Sequence, residues 1–377
     1  MVLSWIHIER PRLVRAGWTK STTRPNTVIG MRPVVLAALF AVFACGRKPV
    51  TKEELGRRVF EDPELSSPAG QGCVDCHVAK VAFADPEDDR TSAGVIKDRF
   101  GTRNTQAITY AKFAPPLHEA GGRMVGGLFW DGRANTLEAQ VLHPFTNPLE
   151  MNNASKEEVI AKVKRRHGAA FTQVFGKGAL DGDVDEAMLR VGEALAAFER
   201  TERFAPFSSK YDLVVAGKLP FSDTEARGSA LFGKHCASCH PPPLFTNWTY
   251  LNLGVPRFND NPFYLLPPEL NPDGERHIDH GLAKTTGDAR HDGMFRVPSL
   301  RNVARTTPYG HNGYFRRLDE MIAFHGPTKL APEVPHTVDR SGLAGFVPSK
   351  EDIRDLVAFL KTLTDAGIEG ANVAAAR

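Results

Sequence analysis

Two pentapeptides carry the strongest chemistry in this chain: Cys73-Val74-Asp75-Cys76-His77 and Cys236-Ala237-Ser238-Cys239-His240. In a C-x-x-C-H segment two thiols add to the vinyl groups of a haem and the adjacent imidazole takes its iron, the attachment pattern of c-type cytochromes. A zinc site made of four thiolates is the competing chemistry. Zinc pairs usually lie much closer in sequence than Cys73 and Cys236, and such a site has no need of His77 and His240. The reading is two covalently bound c-type haems. The remaining cysteine, Cys45, follows an apolar run, so no ordinary disulfide framework is available.

A haem held on one side by histidine has either a second axial group or an open face, and that choice separates electron transfer from peroxide chemistry. The flanking sequence bears on it, because landmarks recur in order. Gly56 to Phe60 precedes the first C-x-x-C-H and Gly228 to Phe232 the second; Arg103-Asn104 and Arg301-Asn302 follow. Asp131-Gly132 lies six residues before Leu137-Glu138, and Asn312-Gly313 six before Leu318-Asp319. Two similar units have been joined. In this register His325 stands seven residues after Leu318, where the first unit has Pro144 seven after Leu137. Histidine can ligate iron and proline cannot, so the second haem reads as His240/His325 and the first as His77 with an open position. Met294, Met321 and Tyr314 are rival ligands in the second unit.

The elements that must position these residues read as helices. Ser155 with Glu158, Ser222 with Glu225 and Ser349 with Asp352 have the spacing of capping boxes. Ile353, Leu356, Val357, Leu360 and Leu363 recur at helical spacing, and residues 183–202 read as another helix. Proline-rich loops such as Pro241-Pro242-Pro243 separate the helices, and no run of alternating strands is evident. The class is mainly α: two cytochrome c-like haem domains related by internal duplication. The expected boundaries are a leader at 1–45, a first haem domain at 46–205, a second at 206–365 and a tail at 366–377.

The 377 residues, 42% of them hydrophobic, are enough for two such cores. Residues 34–44 form an uncharged apolar stretch behind Arg32, too short to span a bilayer and of signal-peptide length. Val42-Phe43-Ala44-Cys45 resembles a bacterial lipobox, which makes Cys45 a lipid-anchor candidate; Met31 is a candidate start. Residues 1–44 carry six basic and one acidic side chains, which leaves the rest at −2 against +3 for the whole. A basic nucleic-acid footprint is therefore absent.

Taken together, GCVDCH, LFWDGRANTLEAQ, NPLEM, CASCH, FRVPSLRNV and TPYGHNG resemble the bacterial dihaem cytochrome c peroxidase superfamily, which also contains the methylamine-utilisation enzyme MauG. The resemblance runs over residues 52–363. It implies a peroxidatic haem in the first domain, an electron-transferring haem in the second, and a tryptophan between them that matches Trp130. It also implies a distal-pocket glutamine at Gln140, an acid–base glutamate at Glu150, and a calcium ion held by Asn104 and the carbonyls of Thr306 and Pro308. Family members are often dimers. Many of its peroxidases take methionine at the His325 position and MauG takes tyrosine; this chain has neither. Many also carry a histidine a few residues before the Arg-Asn pair that blocks the first haem. Here that segment, SAGVIKDRFGTRN, has none; His118 could reach in from its loop but reads first as a surface loop histidine, and His143, beside Pro144, reads the same way.

On residues, a carboxylate beside an open haem face can take the proton from the inner peroxide oxygen and return one to the leaving oxygen, the role expected of Glu150. The expected function is an exported, periplasmic peroxidase that reduces hydrogen peroxide to water with electrons from a small c-type cytochrome or cupredoxin. A MauG-like oxidase acting on residues of a partner protein and a non-catalytic dihaem electron carrier are the alternatives.

Overall fold

The computed structural model describes residues 49–86 and 90–368. The expected leader, Cys45 included, lies outside these residues, as does most of the expected tail. Eleven helices run through the described residues: α1 (Lys52–Phe60), α2 (Cys73–Cys76), α3 (Leu137–Gln140), α4 (His143–Thr146), α5 (Lys156–Phe175), α6 (Val184–Glu199), α7 (Lys210–Val215), α8 (Asp223–His235), α9 (Ala283–Thr286), α10 (Leu318–Phe324) and α11 (Lys350–Lys361). Short antiparallel pairs join β1 (His118–Ala120) to β2 (Arg123–Val125) and β3 (Tyr250–Leu251) to β4 (Phe295–Arg296). The architecture is mainly α. No described helix is long and apolar enough to cross a membrane.

Local chemistry sets the helix starts. Ser222 and Ser349 accept from the Glu225 and Asp352 amides, and those carboxylates accept from the serine amides in return, so two orphan donors are satisfied at each end. At α5 only half the box forms: Ser155 accepts from the Glu158 amide, but Glu158 accepts from the Ala154 amide instead. The helix expected over 183–202 begins after its cap, Asp183, and stops at Glu199. Residues 202–204 tighten into a 3₁₀ turn that delivers Phe204 to the core.

There are two main cores. One gathers buried residues from Leu55 to Phe204, most of them on α1, α5 and α6; the other gathers Phe232, Phe245, Val303, Ile322, Leu356, Phe359, Leu360 and Leu363. In each, one long helix crosses another at a glycine. A Cβ on Gly56 would sit 1.9 Å from the Ala194 carbonyl oxygen, and one on Gly228 1.9 Å from that of Asp355. The carbonyl carbons follow at 2.6 Å, and the Cβ of Phe198 and of Phe359 at 2.9 Å. Backbone cannot yield there as a flexible side chain could. Gly228→Ala is therefore expected to destabilise the protein by about 1–3 kcal/mol or more through overpacking. Gly342→Ala, where a Cβ meets nothing within 4 Å, is its control, and denaturant melts of the two variants check the difference.

From Pro49 onward the chain packs as one compact unit. Ties between the sequence halves are specific: the Tyr110 hydroxyl donates to both oxygens of Asp365 at 3.0 and 2.9 Å, and Arg296 on β4 donates through Nε to the Phe129 carbonyl at 3.0 Å.

Candidate functional site

Each C-x-x-C-H segment ends in the same local device. After the single turn of α2, the His77 amide donates to the Cys73 carbonyl at 2.9 Å and its Nδ1 meets the Phe83 carbonyl at 2.9 Å. In the second segment the His240 amide donates to Cys236 at 2.9 Å and Nδ1 meets the Phe245 carbonyl at 2.9 Å. A carbonyl only accepts, so Nδ1 carries the hydrogen in both rings and the Nε2 lone pair is left for a metal. Phe83 and Phe245 both have positive φ, 56° and 55°, where the chain turns back toward its histidine. Burial drives His240 down to about 4 and lowers His77 in the same direction, so both rings are neutral near pH 7. No disulfide joins the four cysteines of the two segments, and burial pushes the thiols of Cys76 and Cys236 up to about 12. Among the described residues no group of three or more His, Cys, Asp or Glu is arranged around a metal position, so the two pairs do not converge as a zinc tetrad.

A cavity of about 340 Å³ opens beside Cys236, Cys239 and His240. Apolar side chains line it, among them Phe232, Leu300, Val303, Leu318, Ile322, Phe346 and Leu360. His325, the C-cap of α10, lines it too, with Nδ1 donating to the Met321 carbonyl at 2.7 Å and Nε2 free. Burial lowers His325 as it does His240. Met321 is also in the wall, whereas Met294 and Tyr314 are not. Two thiols, two neutral imidazoles with unused Nε2 atoms and apolar walls are a donor set that fits a c-type haem.

The other wall of this cavity belongs to both sequence halves. Trp130, Asn104, Thr306, Pro308, Asp279, His311 and Glu333 line it. The Trp130 indole donates to the Asn104 carbonyl at 2.9 Å, and the Asn104 amide donates to the His311 carbonyl at 2.8 Å. The Arg296 amide holds the Trp130 carbonyl at 2.9 Å. His311 stacks on Phe295 with centroids 3.5 Å apart, and its buried Nε2 has no hydrogen-bond partner. The three residues expected around calcium all line this cavity; an amide oxygen and two carbonyls are hard donors that fit that ion.

The first segment has different surroundings. Glu150 closes the turn after α4, its Oε1 accepting from the Asn147 side-chain amide at 2.9 Å. Burial raises its pKa, and the Arg133 charge and the Asn147 hydrogen bond pull the other way. The Gln71 side-chain amide, 3.7 Å from Cys76 Sγ, donates to the Ala93 carbonyl at 2.9 Å, which ties the first attachment segment to the stretch that packs on Glu150. The histidine-free segment packs directly behind it: the Val95 amide donates to the Glu150 carbonyl at 2.9 Å, and a Cβ on Gly94 would meet the Leu149 oxygen at 2.3 Å. Pro144 sits in the first turn of α4. Gln140 ends α3, half-buried, and no hydrogen bond among the described residues joins it to Glu150. His143 is exposed with its ring edge-on to Phe129, and His118 is exposed on β1 with Nδ1 against the Pro116 carbonyl.

Two features escaped the sequence reading. Glu199, the last residue of α6, is buried with Oε2 unpartnered; burial pushes it up to about 8, and its charge acts on Cys73. A carboxylate directly after the buried run Ala194 to Phe198 was the available signal. The other is an ion chain: Arg103 meets Asp279 at 2.6 Å and Asp131 at 2.7 Å, and Asp131 meets Arg133 at 2.9 Å.

The sequence profile of the di-haem cytochrome c peroxidase family matches residues 50–220. Over 350 residues the chain is 37% identical to the methylamine utilization protein MauG of Paracoccus denitrificans, covering 84% of this chain and 89% of that protein. It is 29% identical to cytochrome c551 peroxidase of Nitrosomonas europaea, covering 84% and 82%. The crystal structure of the diheme peroxidase BthA from Burkholderia thailandensis superposes with a TM-score of 0.75 at 33% identity, covering 84% of this chain and 86% of that one. Paired C-x-x-C-H segments, the helical frame and these likenesses together make the chain a member of the di-haem cytochrome c peroxidase and MauG family of oxidoreductases.

Proposed function

We propose that this protein is a dihaem peroxidase that reduces hydrogen peroxide to water with electrons from a small c-type cytochrome or cupredoxin. One observation carries the reading, the asymmetry between the two halves: His325 shares a cavity with His240, whereas the first half has Pro144 in α4 and a half-buried carboxyl, Glu150, in the turn after it. When bound at Cys73, Cys76 and His77 and at Cys236, Cys239 and His240, the haems supply the iron and the stored electrons. Glu150 takes the proton from the inner peroxide oxygen and returns it to the leaving oxygen, so water rather than hydroxide departs. Asn147 orients the carboxyl through its amide, and Gln140 is the hydrogen-bond partner for the outer oxygen. Trp130, hydrogen-bonded to Asn104 between the two segments, is the relay for electrons, and Asn104, Thr306 and Pro308 hold calcium beside it. The repeated glycine crossings at Gly56 and Gly228 support an internal duplication in which only the second copy kept an axial side chain on α10. The apolar segment at 34–44 supports export to the periplasm, with Cys45 as the lipid anchor.

Identity of 37% to MauG favours a second reading, oxidation of residues on a partner protein. Mixing the haem-loaded protein with peroxide and a reduced small c-type cytochrome separates the two. Rapid, repeated oxidation of the cytochrome supports the peroxidase. A change in the protein's own haem spectrum without turnover supports the MauG-like reading instead.

A further inference from the structure

One buried phenol, Tyr110, packs against the surroundings of both haem segments. It is fully enclosed and stands at φ 62°, in the left-handed region that a bulky residue seldom adopts. The hydroxyl donates to both oxygens of Asp365, at 3.0 and 2.9 Å, and accepts from the Phe207 amide at 3.1 Å. Asp365 is enclosed as completely. The other hydrogen bonds its carboxylate accepts come from neutral groups: the amide and hydroxyl of Ser208 at 3.0 and 3.3 Å, and the Asn302 side-chain amide at 2.9 Å. The hydroxyls of Tyr250 and Tyr309 donate instead to backbone carbonyls, Gly126 at 2.6 Å and Val303 at 3.0 Å, which cannot keep a proton.

Tyr110 adjoins the haem surroundings through direct contacts. Thr109 and Ala111, its neighbours in the chain, line the cavity beside His240, as does Arg301, whose guanidinium lies 5.2 Å from the centre of the Tyr110 ring. Toward the first segment, the Tyr110 amide donates to the Phe204 carbonyl at 2.8 Å. The Phe204 ring lies 4.2 Å from that of Phe83, whose carbonyl holds His77. Outward, Phe207 packs edge-on at 4.9 Å and is 37% exposed, so the phenol lies one ring beneath the surface.

We propose that Tyr110 is a redox-active residue, an internal electron source when peroxide arrives and no external donor does, with Asp365 as its proton acceptor. The inference rests on oxidation of the bound haems by peroxide, which the peroxidase and MauG-like readings share. Reduction of hydrogen peroxide to two waters takes two electrons from the protein. Tyr110 makes good one of them: its phenolic O–H bond breaks, the electron goes to the oxidised haem and the proton to Asp365. A neutral phenoxyl radical is left beside a neutral carboxylic acid. The proton has to leave, because an oxidised phenol that kept it would be a cation shut away from water. Its transfer along the existing hydrogen bond instead discharges a buried carboxylate. Burial first and the Asp365 charge second push the phenol's pKa up, so the proton starts on Tyr110. An electron from a small reductant and the proton from Asp365 restore the pair.

The test is electron paramagnetic resonance of the ferric holoprotein, mixed with hydrogen peroxide in the absence of any electron donor and frozen rapidly. A radical signal is expected that narrows when the protein carries ring-deuterated tyrosine and disappears in Tyr110→Phe. Asp365→Asn keeps an oxygen for the hydroxyl but cannot take its proton, and is expected to lose the signal too. An unchanged resting haem spectrum and melting temperature confirm the fold of each variant, and the deuterium effect is read in the unmodified protein. A signal that deuterated tyrosine leaves unaltered, or that persists in Tyr110→Phe, overturns the role of Tyr110. One lost in Tyr110→Phe yet undiminished in Asp365→Asn overturns Asp365 as the acceptor. The absence of any radical, although peroxide changes the haem spectrum, overturns the inference and leaves the peroxide chemistry in place. A haem spectrum that peroxide does not change overturns both.

Discussion

A Glu150→Gln protein is expected to lose peroxide turnover by about 10²–10⁴-fold while still binding two haems, the range that a positioned general acid–base group contributes. The substitution keeps the shape and the polarity of the side chain, so the turn from Asn147 to Glu150 has no steric reason to move. What it removes is the ability to carry a proton. The sign of the pH dependence follows from the same group. Burial raises the Glu150 pKa above the ordinary carboxylate value of 4.5, against the pull of Arg133 and Asn147. The base form is therefore lost on acidification at a higher pH than for a free carboxylate, and turnover in the unmodified protein should fall there. Steady-state oxidation of a reduced cytochrome across pH checks both statements, and a glutamine variant with full turnover would remove Glu150 from the chemistry.

The second large effect concerns the other half. His325→Met is expected to raise the reduction potential of the second haem by on the order of 0.1 V, within the roughly 0.8 V over which axial ligands act. A thioether stabilises reduced iron better than an imidazole does. The His325 imidazole is also made more basic by donating Nδ1–H to the Met321 carbonyl, a hydrogen bond that methionine cannot make. A redox titration that resolves the two haems measures the shift, and a second haem whose potential does not rise would mean that His325 is not its ligand.

How much of this was legible beforehand differs from residue to residue, for physical reasons. Cys73, Cys76 and His77 are neighbours in sequence because one turn of helix must present them together, so a pattern five residues long carries the chemistry. The α11 stripe was equally plain, since Leu356 and Leu360 recur at the helical period and are buried, with Leu363 buried just past the helix end. His325 could be reached only by aligning the two halves, because its cavity partner His240 lies far away in sequence. Arg103, Asp131 and Asp279 were invisible: the ion pair between Arg103 and Asp279 joins residues 176 apart, and nothing local distinguishes a buried arginine from a solvated one. The end of α6 was misjudged because Arg200 and Glu202 suit a helix, while the burial of Phe204 requires the chain to turn before them.

Central to the proposed function is a difference between the two haems, one closed by His240 and His325 and the other open beside Glu150. Low-temperature electron paramagnetic resonance of the fully ferric, ligand-free holoprotein reads that difference directly. The expected spectrum has one low-spin and one high-spin component, with cyanide converting only the high-spin one. Two low-spin components before any ligand is added would contradict it, and would point to a carrier of electrons rather than an enzyme.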